Sequence, residues 1–149
     1  MARQRMTGRE RREQLISIGR AAFAELGFEG TSVEEIAARA GVSKPVVYEH
    51  FGGKEGLYAV VVDREMLALS LADQMASQLA QQLRTGEKAS LCVPGGTSPT
   101  LVFETLSGAD IDWGRVTVFP GDERWVDGEH KRSNGRLLRR HLLRDRAAA

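Results

Sequence analysis

The chain has 149 residues, 42% of them hydrophobic and 28% charged, with a formal net charge of +1. This composition excludes a disordered chain, and no apolar run is long enough to span a bilayer. The length admits one ordinary domain, or a small domain joined to part of another.

The opening, MARQRMTGRERREQ, is basic and polar with no apolar segment behind it. It is not a secretory signal, and a cytoplasmic address is expected by default. Arg3, Arg5, Arg9, Arg11 and Arg12 crowd this end against only Glu10 and Glu13; Lys131, Arg132, Arg136, Arg139, Arg140, Arg144 and Arg146 crowd the other against only Asp145. Either cluster suits phosphate, and a solvated helix face is the plainer alternative. From Arg9 onward, Leu15, Ile18, Ala22, Phe23 and Leu26 recur at helical spacing until Gly27 stops the run. After the loop FEGT, Ser32 with Glu35 three residues on forms a capping box for a second helix that turns Val33, Ile36, Ala37 and Ala40 inward. Gly41 supplies a tight turn, and Ser43 can cap a third helix, KPVVYEHF, with Pro45 in its first turn. Val47 and Phe51 share one face of that helix, leaving Lys44, Val46, Tyr48 and His50 to look outward.

Two short helices around a glycine turn fit major-groove docking. The residues TSVEEIAARAGVSKPVVYEHFGGKEGLY go further and closely resemble the DNA-binding segment of the TetR family of bacterial repressors, over Arg9 to about Glu65. The resemblance implies that Thr31, Tyr48 and Lys54 hold the DNA backbone. It also implies that Lys44, Val46 and Val47, with His50 and the neighbouring Ser43, lie on or beside the face that reads bases. A hydroxyl, a phenol and an ammonium suit phosphate oxygens, which set register without sequence information. His50 has no second ligand at metal spacing, so packing or a phosphate neighbour is its expected role.

Further along, Ala68, Leu71, Ala72, Met75, Leu79 and Leu83 carry a helical stripe to Gly86. ASLCV then reads as a buried strand, with Cys92 an inert buried thiol lacking any disulfide or CxxC partner. It breaks into PGGTSP, and a helix from Pro99 to Leu106 follows with Ser98 as cap. A strand, a Gly-rich turn and a helix start make an anion site, although no Walker signature is present. A second strand carries Val116 and Val118 on one face and ends in Asp122, Glu123 and Arg124, where α/β proteins place ligand groups. A last helix starts near Ser133.

SLCVPGGTSP, DWGRVTVFPGDERWV and RSNGRLLRRHLL resemble, in order, stretches in the N-terminal portion of the 6-phosphogluconolactonase family. The resemblance implies a Rossmann-like fold that needs no cofactor. It also implies a sugar-phosphate site lined by Gly95, Gly96, Thr97 and Ser98, with Arg124 supplying charge and Asp122 shaping its polar end. The family's catalytic histidine belongs to a later segment that has no counterpart here. His130 and His141 do not match it, so no catalytic residue and no metal site is assigned.

The two resemblances meet at DREM, Asp63 to Met66, with no Pro- or Gly-rich joint. The expected architecture is a TetR-like all-α helix-turn-helix unit, residues 1–62, joined by a continuous helix from about Lys54 to Arg84 to an incomplete Rossmann-like α/β fragment, residues 63–149. The two stretches of that helix are expected to turn different apolar faces to two cores. This reads as a chimera of two truncated parts in which the repressors' dimerisation domain is absent. Double-stranded DNA is the expected partner, phosphate or a phosphorylated sugar a weak second one, and a membrane none. A lactonase of the pentose phosphate pathway and a hybrid without function are the alternatives.

Overall fold

The computed structural model describes residues 6–148. It divides between Arg64 and Glu65 into two compact units. Arg3 and Arg5 of the N-terminal basic cluster lie outside the described residues.

The first unit is helical: α1 (Gly8–Gly30), α2 (Val33–Ala40), α3 (Lys44–Phe51) and the start of α4 (Lys54–Thr85). Thr7 caps α1 in a reciprocal box with Glu10. Gly27 does leave helical geometry, with φ 72° and ψ 174°, but the chain winds one more turn to Gly30 instead of entering a loop. Ser32 caps α2 by accepting from the Glu35 amide, and Gly41 makes the left-handed turn at φ 62°. Ser43 precedes α3 as expected, yet its hydroxyl makes no capping bond. Leu15, Ile36, Val47 and Leu57 close the core, each without exposed surface. Phe23, Phe28 and Tyr58 cluster beside it, with the Phe23 and Tyr58 rings edge to face at 5.0 Å. Arg64 grips Glu13 through both terminal guanidinium nitrogens, at 2.7 and 2.8 Å, so α4 is held to α1 by charge as well as by packing.

α4 is one helix of 32 residues, the continuous helix expected. Leu57 and Val61 belong to the core of the first unit, and Ala72 and Leu79 to that of the second. Leu71, expected inside, is exposed, and smaller Ala72 takes the inward place.

The second unit continues α4 into β1 (Ala89–Val93), α5 (Thr100–Ser107), β2 (Val116–Pro120) and α6 (Asn134–His141). The two strands pair in parallel, Ala89 opposite Val116 and Val93 opposite Pro120, as a β-α-β fragment of Rossmann-like pattern. Ala89 and Val93 turn into a core with Phe103, Leu106, Trp113 and Leu142. The strand is not buried on both faces as expected: Ser90 and Cys92 alternate outward, so the thiol is exposed. Ser98 does not cap α5; Pro99 holds that position and the helix begins one residue later. Arg115 clasps the end of α4, donating to the carbonyls of Leu83, Gly86 and Glu87, which a C-terminal helix dipole favours.

Two glycines test the first core. A Cβ on Gly19 would sit 2.7 Å from Leu57 Cδ2, and one on Gly56 would sit 1.9 Å from the Phe51 carbonyl oxygen. Gly19→Ala should cost about 1–3 kcal/mol, since Leu57 can shift. Gly56→Ala should cost more, because a backbone oxygen cannot. Urea unfolding followed by circular dichroism ranks the two.

Candidate nucleic-acid interface and anion loop

α3 owes its position to Val47, which is 0% exposed and anchors the helix on α2 and α4. Val47 therefore presents no surface to a duplex, and its assignment to the base-reading face is corrected. Lys44 and Tyr48, one turn apart, are exposed, and Val46 and His50 are half-buried on their flanks. Ser43 is exposed with its hydroxyl free of a capping bond. Lys44 is not a free cation: its ammonium pairs with Glu34 of α2. The pair holds the Lys44 pKa above, and the Glu34 pKa below, the ordinary range.

Thr31 is 2% exposed, and its hydroxyl donates to the carbonyls of Gly27 at 2.7 Å and Ala22 at 3.2 Å. A threonine has one proton to donate, and a phosphate oxygen needs that proton. Thr31 is thus corrected from a DNA contact to the latch closing the kinked end of α1. Lys54 donates to the Phe28 carbonyl at 3.0 Å and lies over the Phe28 ring at 4.2 Å. An ammonium has three donors, so Lys54 keeps capacity for a second acceptor. The N-terminal arginines are partly used inside the unit: Arg12 donates to the His50 carbonyl and stacks on Phe51.

In the second unit, Gly95 and Gly96 are half-buried, Thr97 and Ser98 are exposed, and Gly96 takes φ +85°. Asp122 and Arg124, both exposed, follow β2. Two residues outside the expected set tie these loops together. Glu123 accepts from the backbone amides of Arg124, Asn134 and Gly135 and from the Ser133 hydroxyl, at 2.7 to 3.1 Å. Asn134 accepts from the Gly96 amide at 3.4 Å and from Arg124 Nη1 at 2.9 Å, and donates to the Asp122 carbonyl at 2.9 Å. Apart from the adjacent Arg124 amide, the partners of these two residues lie 10 to 38 positions away, beyond any local pattern.

The C-terminal basic cluster is less bare than the sequence suggested, with Arg139 paired to Glu129, Arg144 to Asp145 and Arg146 to Asp110. His141 Nδ1 lies 2.8 Å from Glu104 Oε1, and His130 Nδ1 accepts from the Arg132 amide. Among the described residues no helix is long and apolar enough to cross a membrane.

The first unit is a helix-turn-helix of the DNA-binding type, and the second is a β-α-β fragment built around a Gly-rich loop. Residues 15–61 match the family model of bacterial regulatory proteins of the tetR family. Residues 62–149, more than half of the chain, match the model of glucosamine-6-phosphate isomerases/6-phosphogluconolactonase, and the chain belongs to that family. It is similar to the 6-phosphogluconolactonase of Pseudomonas aeruginosa, 47% identical over 54% of this chain and 34% of that protein. The 6-phosphogluconolactonase of Rhizobium meliloti is 45% identical over 55% of this chain and 35% of its own length. A crystal structure of the enzyme from Shewanella baltica superposes with a TM-score of 0.56 and 44% identity, covering 57% of this chain and 36% of that one. The chain thus spans about a third of the length of these relatives.

Glu123 gives a pH test of the second unit. Its hydrogen bonds, foremost from the Gly135 and Asn134 amides, lower its pKa from 4.5 to about 2. A carboxylate with a depressed folded pKa stabilises fully above its unfolded value and loses that contribution as pH falls through the folded one. Stability should therefore decline between about pH 4.5 and 2. Glu123→Gln should be less stable at neutral pH and lose the slope in that window. Tryptophan fluorescence reads this unit alone, because both tryptophans, Trp113 and Trp125, belong to it.

Proposed function

We propose that the first unit, residues 1–62, binds double-stranded DNA with α3 in the major groove. The observation that carries this is the division of α3: Val47 holds it to the core while Lys44 and Tyr48 stand exposed one turn apart. Tyr48, Lys54 and Ser43 contact phosphates, and Lys44 and Val46, flanked by His50, face base edges. A single unit engages one half-site, so its affinity belongs near roughly 10⁻⁴ to 10⁻⁶ M at physiological salt. In anisotropy titrations, Tyr48→Phe and Lys54→Ala should weaken binding to all duplexes alike, whereas Lys44→Ala should change sequence preference. Glu34→Ala should tighten binding a few-fold and steepen its salt dependence, because it removes a carboxylate from the face that meets the polyanion and leaves the Lys44 ammonium unpaired there. Absence of any binding at low salt refutes the reading.

A second reading applies to residues 63–149: weak binding of phosphate or a phosphorylated sugar by Gly95 to Ser98 and Arg124, with Asp122 at the polar end. It is favoured by the convergence of the Gly96 amide and the Arg124 guanidinium on one oxygen of Asn134. The activity in the relatives' names is not part of this proposal. General acid/base catalysis contributes about 10²- to 10⁴-fold, and among the described hydrogen bonds neither histidine of this unit reaches the Gly95–Ser98 loop or Arg124: His130 pairs with the Arg132 amide and His141 with Glu104. A coupled assay with 6-phosphogluconolactone should show only spontaneous hydrolysis. Protein-dependent turnover abolished by Arg124→Ala would make the enzyme the leading reading.

A further inference from the structure

We propose that Asn134 is the positioning residue of the anion loop: it aims the Arg124 guanidinium while leaving its charge available to a phosphate. The inference rests on the phosphate reading of that loop given above.

Asn134 is 1% exposed, the first residue of α6, and its carboxamide is used on both sides. Oδ1 accepts from Gly96 N and Arg124 Nη1, and Nδ2 donates to the Asp122 carbonyl. A flipped amide would set its NH2 against two donors and its oxygen against a carbonyl, so the orientation is chemically determined. The backbone of Asn134 is fixed in turn by Glu123, which accepts its amide at 2.7 Å. The loop passes directly over the side chain: a Cβ on Gly95 would fall 2.1 Å from Asn134 Nδ2. Arg124 Nη1 also donates to the Arg132 carbonyl at 2.6 Å. One corner of the guanidinium is therefore held, and Nε and Nη2 remain for the two oxygens of a phosphate.

Neutrality is the decisive property. An aspartate in the same place would accept from Gly96 and Arg124 equally well, but it would form an ion pair with Arg124 and repel a second anion. A carboxamide orients the cation without neutralising it. Asn134→Asp therefore separates positioning from general structural support, since it keeps the volume and the two acceptor bonds and changes only the charge and the donor to Asp122.

The test uses the full-length 15N-labelled chain titrated with inorganic phosphate, followed at the Gly95 and Gly96 amides and at Arg124 Nε–H. Asn134→Asp should weaken phosphate binding about tenfold, as expected for the loss of one charge-assisted contact, with Arg124 Nε–H still ordered. Asn134→Ala should lose both binding and that order. Gly95→Ala, which displaces the carboxamide without removing it, should reproduce the loss and serves if Asn134→Ala does not fold. Phosphate affinity in Asn134→Asp equal to the unsubstituted chain overturns the proposal. So does an Arg124 Nε–H as ordered in Asn134→Ala and Gly95→Ala as in the parent. If the parent itself shows no phosphate shifts, the binding reading fails. The Arg124 order then still decides the role of Asn134.

Discussion

α4 supplies Leu57 and Val61 to the core of the first unit and Ala72 and Leu79 to the core of the second. Both cores thus draw on one helix, which runs unbroken through residues that belong to neither core cluster. Between Arg64 and Ser70 the chain places Met66, Leu67 and Leu69 in solvent, where they stabilise the helix by propensity and not by burial. No proline or glycine interrupts α4 after Gly56. A helix of 32 residues therefore forms although its apolar stripe serves two clusters.

α4 is fastened by charge at two places. Arg64 and Glu13 bind in bidentate fashion near the division between the units, and Arg115 gathers three carbonyls at the far end. The second contact is the more consequential. It leads from α4 into the 3-10 turn Trp113–Arg115, which sets where β2 begins and hence its register on β1. The Trp113 indole donates to the Ala109 carbonyl at 3.1 Å and fixes the same turn from inside.

Most elements were legible because their signals are local. Ser32, Gly41, Pro45 and Ser133 mark helix starts and turns within four residues of the groups they satisfy. The misreadings share an opposite cause. Thr31 was assigned to the phosphate backbone through the family resemblance, yet the kink at Gly27 brings the α1 carbonyls of Ala22 and Gly27 within its reach. Cys92 looked buried because ASLCV is continuously apolar apart from its serine, whereas a parallel pair covered on one face alternates. The linking role of Glu123, and Asn134 altogether, went unread because each acts on a segment that only the fold brings near.

The two candidate sites treat their cations in opposite ways. Lys44 rests in an exposed pair with Glu34, so an approaching duplex must compete with a carboxylate that water already screens. Such a cation is available at modest cost, and the cost depends on salt, which suits a long polyanion that releases counterions on binding. Among the described residues no carboxylate pairs with the Arg124 guanidinium; a neutral amide and a backbone carbonyl hold one of its nitrogens. Its charge is retained and its direction is fixed, which suits a small anion that must be met in one geometry. The nearest carboxylate in sequence, Glu123, could have neutralised it. That group instead faces the start of α6, where three backbone amides and a hydroxyl occupy its oxygens. Glu123 thus does two things through one arrangement: it fixes the helix that carries Asn134, and it keeps its own charge directed away from the guanidinium beside it.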